Sequence, residues 1–225
     1  MISRLFGMRL PLAIFILTIL SFTITGTTII HLTLINNMTD ENWLCLKTEF
    51  IKINFPKTWY VEKGSIDRNG KIFMISLFSE DFKAIVHFAF YSEMATQNFI
   101  KSNNITHISL IPNLDVQEIY NWTRSQRNAN ATLHIVEIRF DLLEFIENWA
   151  KYHGYEIHCL VINIENAFVM DNILYNTKGL FISSIVNQRL IKIIFYGEEN
   201  SWNKNQENFK KILNSLEISM SVWPV

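Results

Sequence analysis

The chain has 225 residues, 49% of them hydrophobic and 18% charged, with a formal net charge of -1. That length holds one membrane segment and one ordinary domain, and that charge balance excludes a nucleic-acid binder or an acidic tail. An aromatic share of 13% with only seven Gly and four Pro excludes a disordered or loop-dominated chain.

The first element is apolar. From Leu10 to Ile35 there is no Asp, Glu, Lys or Arg, and a bilayer needs about 20 such residues in a helix. Pro11 falls at the start, where its missing N–H is harmless, and the Thr and Ser residues can bond to the helix's own carbonyls. Arg4 and Arg9 precede the run and no Lys or Arg follows before Lys47, which places the N-terminus inside and the rest outside. A cleaved signal peptide is the competing reading, but the run is too long and no A-x-A-like site closes it. The expected organisation is a cytoplasmic N-terminus over 1–9, a transmembrane anchor over 10–35, a stalk over 36–47 and an exported domain over 48–220, in a single-pass protein of the cell membrane. Trp43, close to the stalk, can sit at the headgroups or pack on the domain.

Beyond the anchor, Ile51–Phe55 alternates as a half-buried strand that Pro56 ends. Trp59–Val61 reads as a strand, and Asn69-Gly70 as a hairpin turn. Lys71–Phe78 and Phe82–Tyr91 are two strands paired through a turn at Ser79–Asp81. Ser92 caps a helix through Ile100. Asp115 to Glu118 has capping-box spacing, and Val116, Ile119, Tyr120 and Thr123 share a helical face. Thr132–Phe140 returns to period two. Asp141 opens a helix with Leu142, Phe145, Ile146, Trp149 and Ala150 as its stripe, stopped by Gly154. Tyr155–Ile164, Ala167–Leu174, Gly179–Val186 and Leu190–Tyr196 read as four strands, the last two joined at Asn187-Gln188. Ser201 caps a final helix carrying Trp202, Phe209, Ile212, Leu213 and Leu216, and Leu216–Ile218 adds an edge strand. Strands joined by short turns, with one-sided helices to cover them, give an α+β class with a mostly antiparallel sheet.

The run Phe50-Ile-Lys-Ile-Asn-Phe-Pro-Lys-Thr-Trp59 resembles the opening of the PsbP-like domain family, a hydrophobic strand followed by aromatic-Pro-x-x-Trp. Ile193–Tyr196 followed by Phe209-Lys-Lys-Ile-Leu-Asn-Ser-Leu-Glu-Ile218 is similar to that family's closing strand, helix and Ser-Leu-x-Ile strand. An anchor followed by one exported domain is similar to PsbP-like proteins of nitrifying archaea. The resemblance covers about a quarter of the domain by residue, at its two ends, and the middle from about Ile100 to Tyr155 is unmatched. It implies an antiparallel sheet with helices on both sides and a function exercised by binding, with no catalytic or binding residues to carry over. Pro56 and Trp59 read as packing residues, the first forcing a turn and the second filling the core beside it.

No G-x-S-x-G, G-x-x-x-x-G-K-[ST], H-E-x-x-H or C-x-x-C is present, so no enzyme is expected. Cys45 and Cys159 make no metal motif. In an exported domain they are candidates for one disulfide, with two free thiols the alternative. His153, Glu156 and His158 are the candidate metal ligands, with His134 from another strand as a fourth and Cys159 on the opposite face of its strand from His158. Ordinary surface and core roles are the bland reading of all of them, and no cofactor is expected. Asp141, Glu144 and Glu147 suit a helix N-terminus better than acid–base work, and Lys204, Lys210 and Lys211 suit a solvated face. N-x-S/T sequons at Asn37, Asn104, Asn121 and Asn130 are compatible with export and no more frequent than the composition gives by chance. The functional expectation is a non-enzymatic interaction or accessory module, held in lipid through residues 10–35 and binding a membrane or surface protein. The alternative is an extracytoplasmic domain for a small ligand or metal.

Overall fold

The computed structural model describes residues 33–35, 42–48, 51–66 and 72–219. Apart from Thr33–Ile35, the expected anchor lies outside these residues, as do Asn37, Asn69-Gly70 and Trp223. No described helix is long and apolar enough to cross a membrane.

Two antiparallel sheets carry the fold. The smaller runs in the order β1 (Thr33–Ile35), β2 (Trp43–Lys47), β3 (Ile51–Pro56) and β11 (Glu217–Ile218). The larger is made of β4 (Tyr60–Ile66), β5 (Ile72–Phe78), β6 (Ala84–Tyr91), β7 (Thr132–Val136), β8 (Ile157–Met170), β9 (Ile173–Val186) and β10 (Arg189–Glu198). Its order across the sheet is β4-β5-β6-β10-β9-β8-β7, antiparallel throughout. Among the described residues five α-helices cover it: α1 (Glu93–Ser102), α2 (Ile111–Gln126), α3 (Phe140–His153), α4 (Glu199–Lys204) and α5 (Gln206–Asn214). The α+β class read from periodicity is therefore observed.

Period two sorts the strand residues onto two faces. One face presents Phe73, Ile75, Phe88, Phe90 and Phe195, which share a core with α3, α4, α5 and the small sheet. There Phe195 stacks between Phe209 (4.9 Å) and Trp202 (5.2 Å), and the Trp202 indole N–H donates to the Phe195 carbonyl. Truncating a buried phenylalanine such as Phe209 to alanine removes about 3–5 kcal/mol. Trp59 is buried in this core, three residues beyond the turn that Pro56 forces. Trp43 packs on the same core, with the Lys211 ammonium over its ring. The opposite face presents Phe181, Ile162 and Ile164 to Val116 and Ile119 of α2.

Local signals act largely as the sequence implies. Ser92 Oγ accepts from the Ala95 N–H at the start of α1. Gly154 ends α3 in the left-handed region at φ 68°, where a Cβ is costly. Asn187 and Gln188 both have positive φ in the β9–β10 turn.

Several elements differ. Residues 43–47, assigned above to a stalk, form β2, and Thr33–Ile35 pairs with it. Helix α2 starts at Ile111 with Pro112 in its first turn, so Asp115 lies inside the helix and caps nothing. Period two stops at Val136 because Phe140 already begins α3. The four strands read between 155 and 196 are three: the supposed break at 165–166 is an irregularity within β8. The true turn is Asp171-Asn172, both at positive φ. Glu198, not Ser201, caps the last helical region through its carboxylate, which accepts from the Asn200 and Ser201 N–H groups. Asn205 then divides that region into α4 and α5. Lys210 is not solvated: it pairs with Glu207 (2.9 Å) and Asp141 (3.6 Å) over the Phe145 ring.

Candidate functional site

The ionisable groups enclosed by the fold lie on the face covered by α1 and α2. Strand register brings them together. Lys192 of β10 is opposite Ser183 of β9 on one side and Ala89 of β6 on the other, and Ser183 is opposite His158 of β8. One step along the strands, Glu62, Ser76 and His87 are opposite one another across β4, β5 and β6. Ser76 and His87 are each the one polar residue of the apolar core of their strand.

Lys192 Nζ donates to Asp115 Oδ1 of α2 at 2.7 Å, with the side chains 7% and 12% exposed. The ammonium also lies 4.1 Å from the Phe99 ring centroid of α1 and 5.5 Å from that of Tyr91. Burial works against the charged amine, yet the Asp115 carboxylate, with Tyr91 and Glu118 behind it, holds its pKa above the usual lysine value. An amine kept protonated in this way cannot serve as a nucleophile. Burial also raises the Asp115 carboxyl, against the pull of Lys192.

His87 Nδ1 and Ser76 Oγ share a hydrogen bond of 2.9 Å inside the core. Burial, helped by the charge of Lys192, pushes His87 down to about 4, so it is neutral at physiological pH. Burial raises Glu62 to about 7, and its Oε2 has no hydrogen-bond partner among the described residues. Further along this face the Tyr196 hydroxyl, pushed up to about 12 by burial, donates to Thr177 Oγ1 at 2.7 Å. The polar row is thus mostly closed on itself. Besides Glu62 Oε2, its unfilled capacity is at Ser183 Oγ and His158 Nε2, neighbours in register that lack hydrogen-bond partners among the described residues; such groups take up water or a small polar ligand.

The residues singled out from sequence are dispersed. His158 faces α2's side of the sheet, with Glu156 at 3.9 Å. His153 ends α3, stacks with Tyr155 (5.4 Å) and lies tilted against Trp149 (5.2 Å). His134 pairs in register with Asn163 on the other face of the sheet and lies 3.5 Å from Glu165. Among the described residues no three His, Cys, Asp or Glu converge as metal ligands. Cys45 and Cys159 are free thiols in the structure, one buried in the small sheet, the other half-buried in β8. Burial and nearby Glu147 push the Cys159 thiol up. Asp141 is held by Arg139. Asn104, Asn121 and Asn130 are exposed. Lys192, His87 and Glu62 escaped the motif reading, and Asp115 entered it only as a helix cap. Their one signal is a lone polar residue in runs such as Ala84-Ile-Val-His-Phe-Ala-Phe90.

The surface carries a second feature. Strands β8 and β9 continue past the ends of β7 and β10, and only they pair with each other beyond residue 165 and before residue 177. At the tip of this ribbon Val169, Ile173 and Leu174 are 49%, 55% and 55% exposed. Its neck is fixed by Phe168 stacked on Tyr175 (5.0 Å), by Lys83 over the Tyr175 ring (5.7 Å) and by the Lys178–Glu199 ion pair (2.8 Å).

No family model matches the chain, and no curated protein matches it. Among solved structures it is similar to the solution structure of cyanobacterial PsbP (CyanoP) from Synechocystis sp. PCC 6803. The TM-score is 0.37 and the identity 10%, over 87% of this chain and 96% of that one.

Proposed function

We propose that this chain is a membrane-tethered, outward-facing interaction module with a PsbP-like domain, docking on another membrane or surface protein. The tether rests on the uncharged run ahead of the domain and on Arg4 and Arg9 before it. The PsbP-like assignment rests on the Phe50–Trp59 and Phe209–Ile218 motifs. The observation that carries the docking role is the β8–β9 ribbon, whose apolar tip is held out from the sheet by a rigid neck. Exposed, clustered aliphatic side chains on a protruding element are what a partner's pocket takes up. Among the enclosed groups Lys192 is paired with Asp115 and His87 with Ser76.

Two measurements test it. Protease added to intact cells should digest the domain; a domain that survives until lysis refutes the tether. Cross-linking in intact cells should trap an adduct that the variant Val169→Ser/Ile173→Ser/Leu174→Ser loses while keeping its melting temperature. An adduct unchanged in that variant refutes the ribbon as the docking element.

A further inference from the structure

The two edges of the seven-stranded sheet are built differently. The β4 edge is interrupted by a register shift between Glu62 and Ser65, with Glu62 turned inward and Lys63 and Gly64 in the irregular stretch. Bulges and inward charges are the devices that stop an edge from pairing with another chain. The β7 edge has none of them. Thr132-Leu-His-Ile-Val136 keeps an unbroken register with β8, contains no Asp, Glu, Lys, Arg, Gly or Pro, and is the last strand on its side among the described residues. Its Ile135 is 63% exposed.

We propose that β7 is the dimer interface of this protein, pairing antiparallel with β7 of a second copy to make one continuous sheet of two domains. Symmetry fixes the register. A two-fold axis perpendicular to the sheet leaves each face on its own side, so opposed residues must come from the same face. Period two then permits only registers centred on one residue. The register that overlaps the whole strand is centred on His134. It sets Leu133 against Ile135 of the second copy on the α2 side, and Thr132 against Val136 of the second copy on the α3 side. Every pair but the central one is thus aliphatic or β-branched, the kind that stabilises neighbouring strands, and exposed Ile135 is covered. The two His134 residues meet on the axis, each with its own Glu165 carboxylate at 3.5 Å, so two facing imidazoles would not stand as uncompensated like charges. Strand addition also satisfies the outward backbone groups of β7, beyond which no further strand of the described residues pairs. This inference is independent of the tether and of the ribbon.

The test uses the full chain in non-ionic detergent. Light scattering should give a dimer for the native protein and a monomer for Ile135→Lys, with the melting temperature of the domain unchanged. Self-association of the apolar N-terminal run would give equal masses for the two, which overturns the proposal, as does a native monomer. Register is read from His134→Cys. Directly opposed antiparallel residues have Cα atoms about 4.5–5.5 Å apart, within disulfide range. That variant should form a reductant-sensitive dimer well above the native background from Cys45 and Cys159, whereas Thr132→Cys, four residues from its counterpart, should not. Equal cross-linking by both variants, or by neither, overturns it.

Discussion

Lys192 and Asp115 tie the centre of the sheet to α2, and cutting that tie on one side should cost far more than replacing it on both. At 2.7 Å and an effective dielectric near 20, the direct attraction is about 6 kcal/mol, but removing two charges from water costs several kcal/mol per ion. The pair therefore contributes little net stability, while a lone buried charge is expensive. Asp115→Asn leaves the ammonium enclosed with no carboxylate, against the rings of Phe99 at 4.1 Å and Tyr91 at 5.5 Å, contacts that return about 1–2 kcal/mol. A loss of about 3 kcal/mol is expected, or a melting temperature lower by about 6–12 °C for a domain of this size. Lys192→Met leaves the carboxylate with no such ring and should cost at least as much. Lys192→Met with Asp115→Leu, which matches the branching of aspartate, should return to within about 1 kcal/mol of the native chain. Urea denaturation of the four proteins gives the coupling directly. A double variant as unstable as the sum of the singles would refute the enclosed pair.

His87 is neutral in the folded state, with a pKa of about 4 against 6.5 unfolded. Its contribution is present above 6.5 and is lost as pH falls toward 4, on the order of 3 kcal/mol in all. Glu62 has the opposite sign. Its folded value is about 7 against 4.5, so its stabilisation is present below 4.5 and is lost as pH rises through 7. The two offset each other between about 4.5 and 6.5; Glu62→Gln should steepen the acid loss of stability and His87→Gln should reverse its sign, and equal slopes in both variants would sink the assignment. Gly197 is closed in by backbone: a Cβ there would meet the Lys83 carbonyl oxygen at 2.5 Å and Ala84 Cα at 2.8 Å. Gly197→Ala should therefore cost about 1–3 kcal/mol by chemical denaturation, and a neutral result would show that β10 and the β5–β6 turn are not so closely apposed.

Most elements of the domain were legible because each has its own local cause. Ser92 caps, Gly154 stops, Pro56 ends a strand, and the apolar stripe of α3 meets its core as its spacing implies. The failures are where local and tertiary causes compete. Ala167–Leu174 carries its own turn signal in Asp171-Asn172, but apolar residues on both sides of the pair let the whole segment read as one strand. That turn exists because β8 and β9 pair along their whole length around a two-residue connection. Asp115 has the spacing of a capping box, but its carboxylate is claimed by an ammonium 77 residues away.

The enclosed polar row was illegible for a different reason. Its members come from β4, β5, β6, α2, β9 and β10, so no window of sequence contains more than one of them, and a motif search looks for windows. What each window does contain is a polar residue at a position whose strand neighbours two away are apolar: Ser76 between Met74 and Phe78, His87 between Ile85 and Ala89, Lys192 between Leu190 and Ile194. In a strand those neighbours lie on the same face as the polar residue, so each of these three must find a partner from another element or remain desolvated at a cost of several kcal/mol. Three such residues on strands that pair side by side oblige a shared solution, and the sheet order β5-β6-β10 is that solution. Ser76 and His87 satisfy each other, and Lys192, with no acid on either neighbouring strand, draws in the carboxylate of the helix laid across the strands.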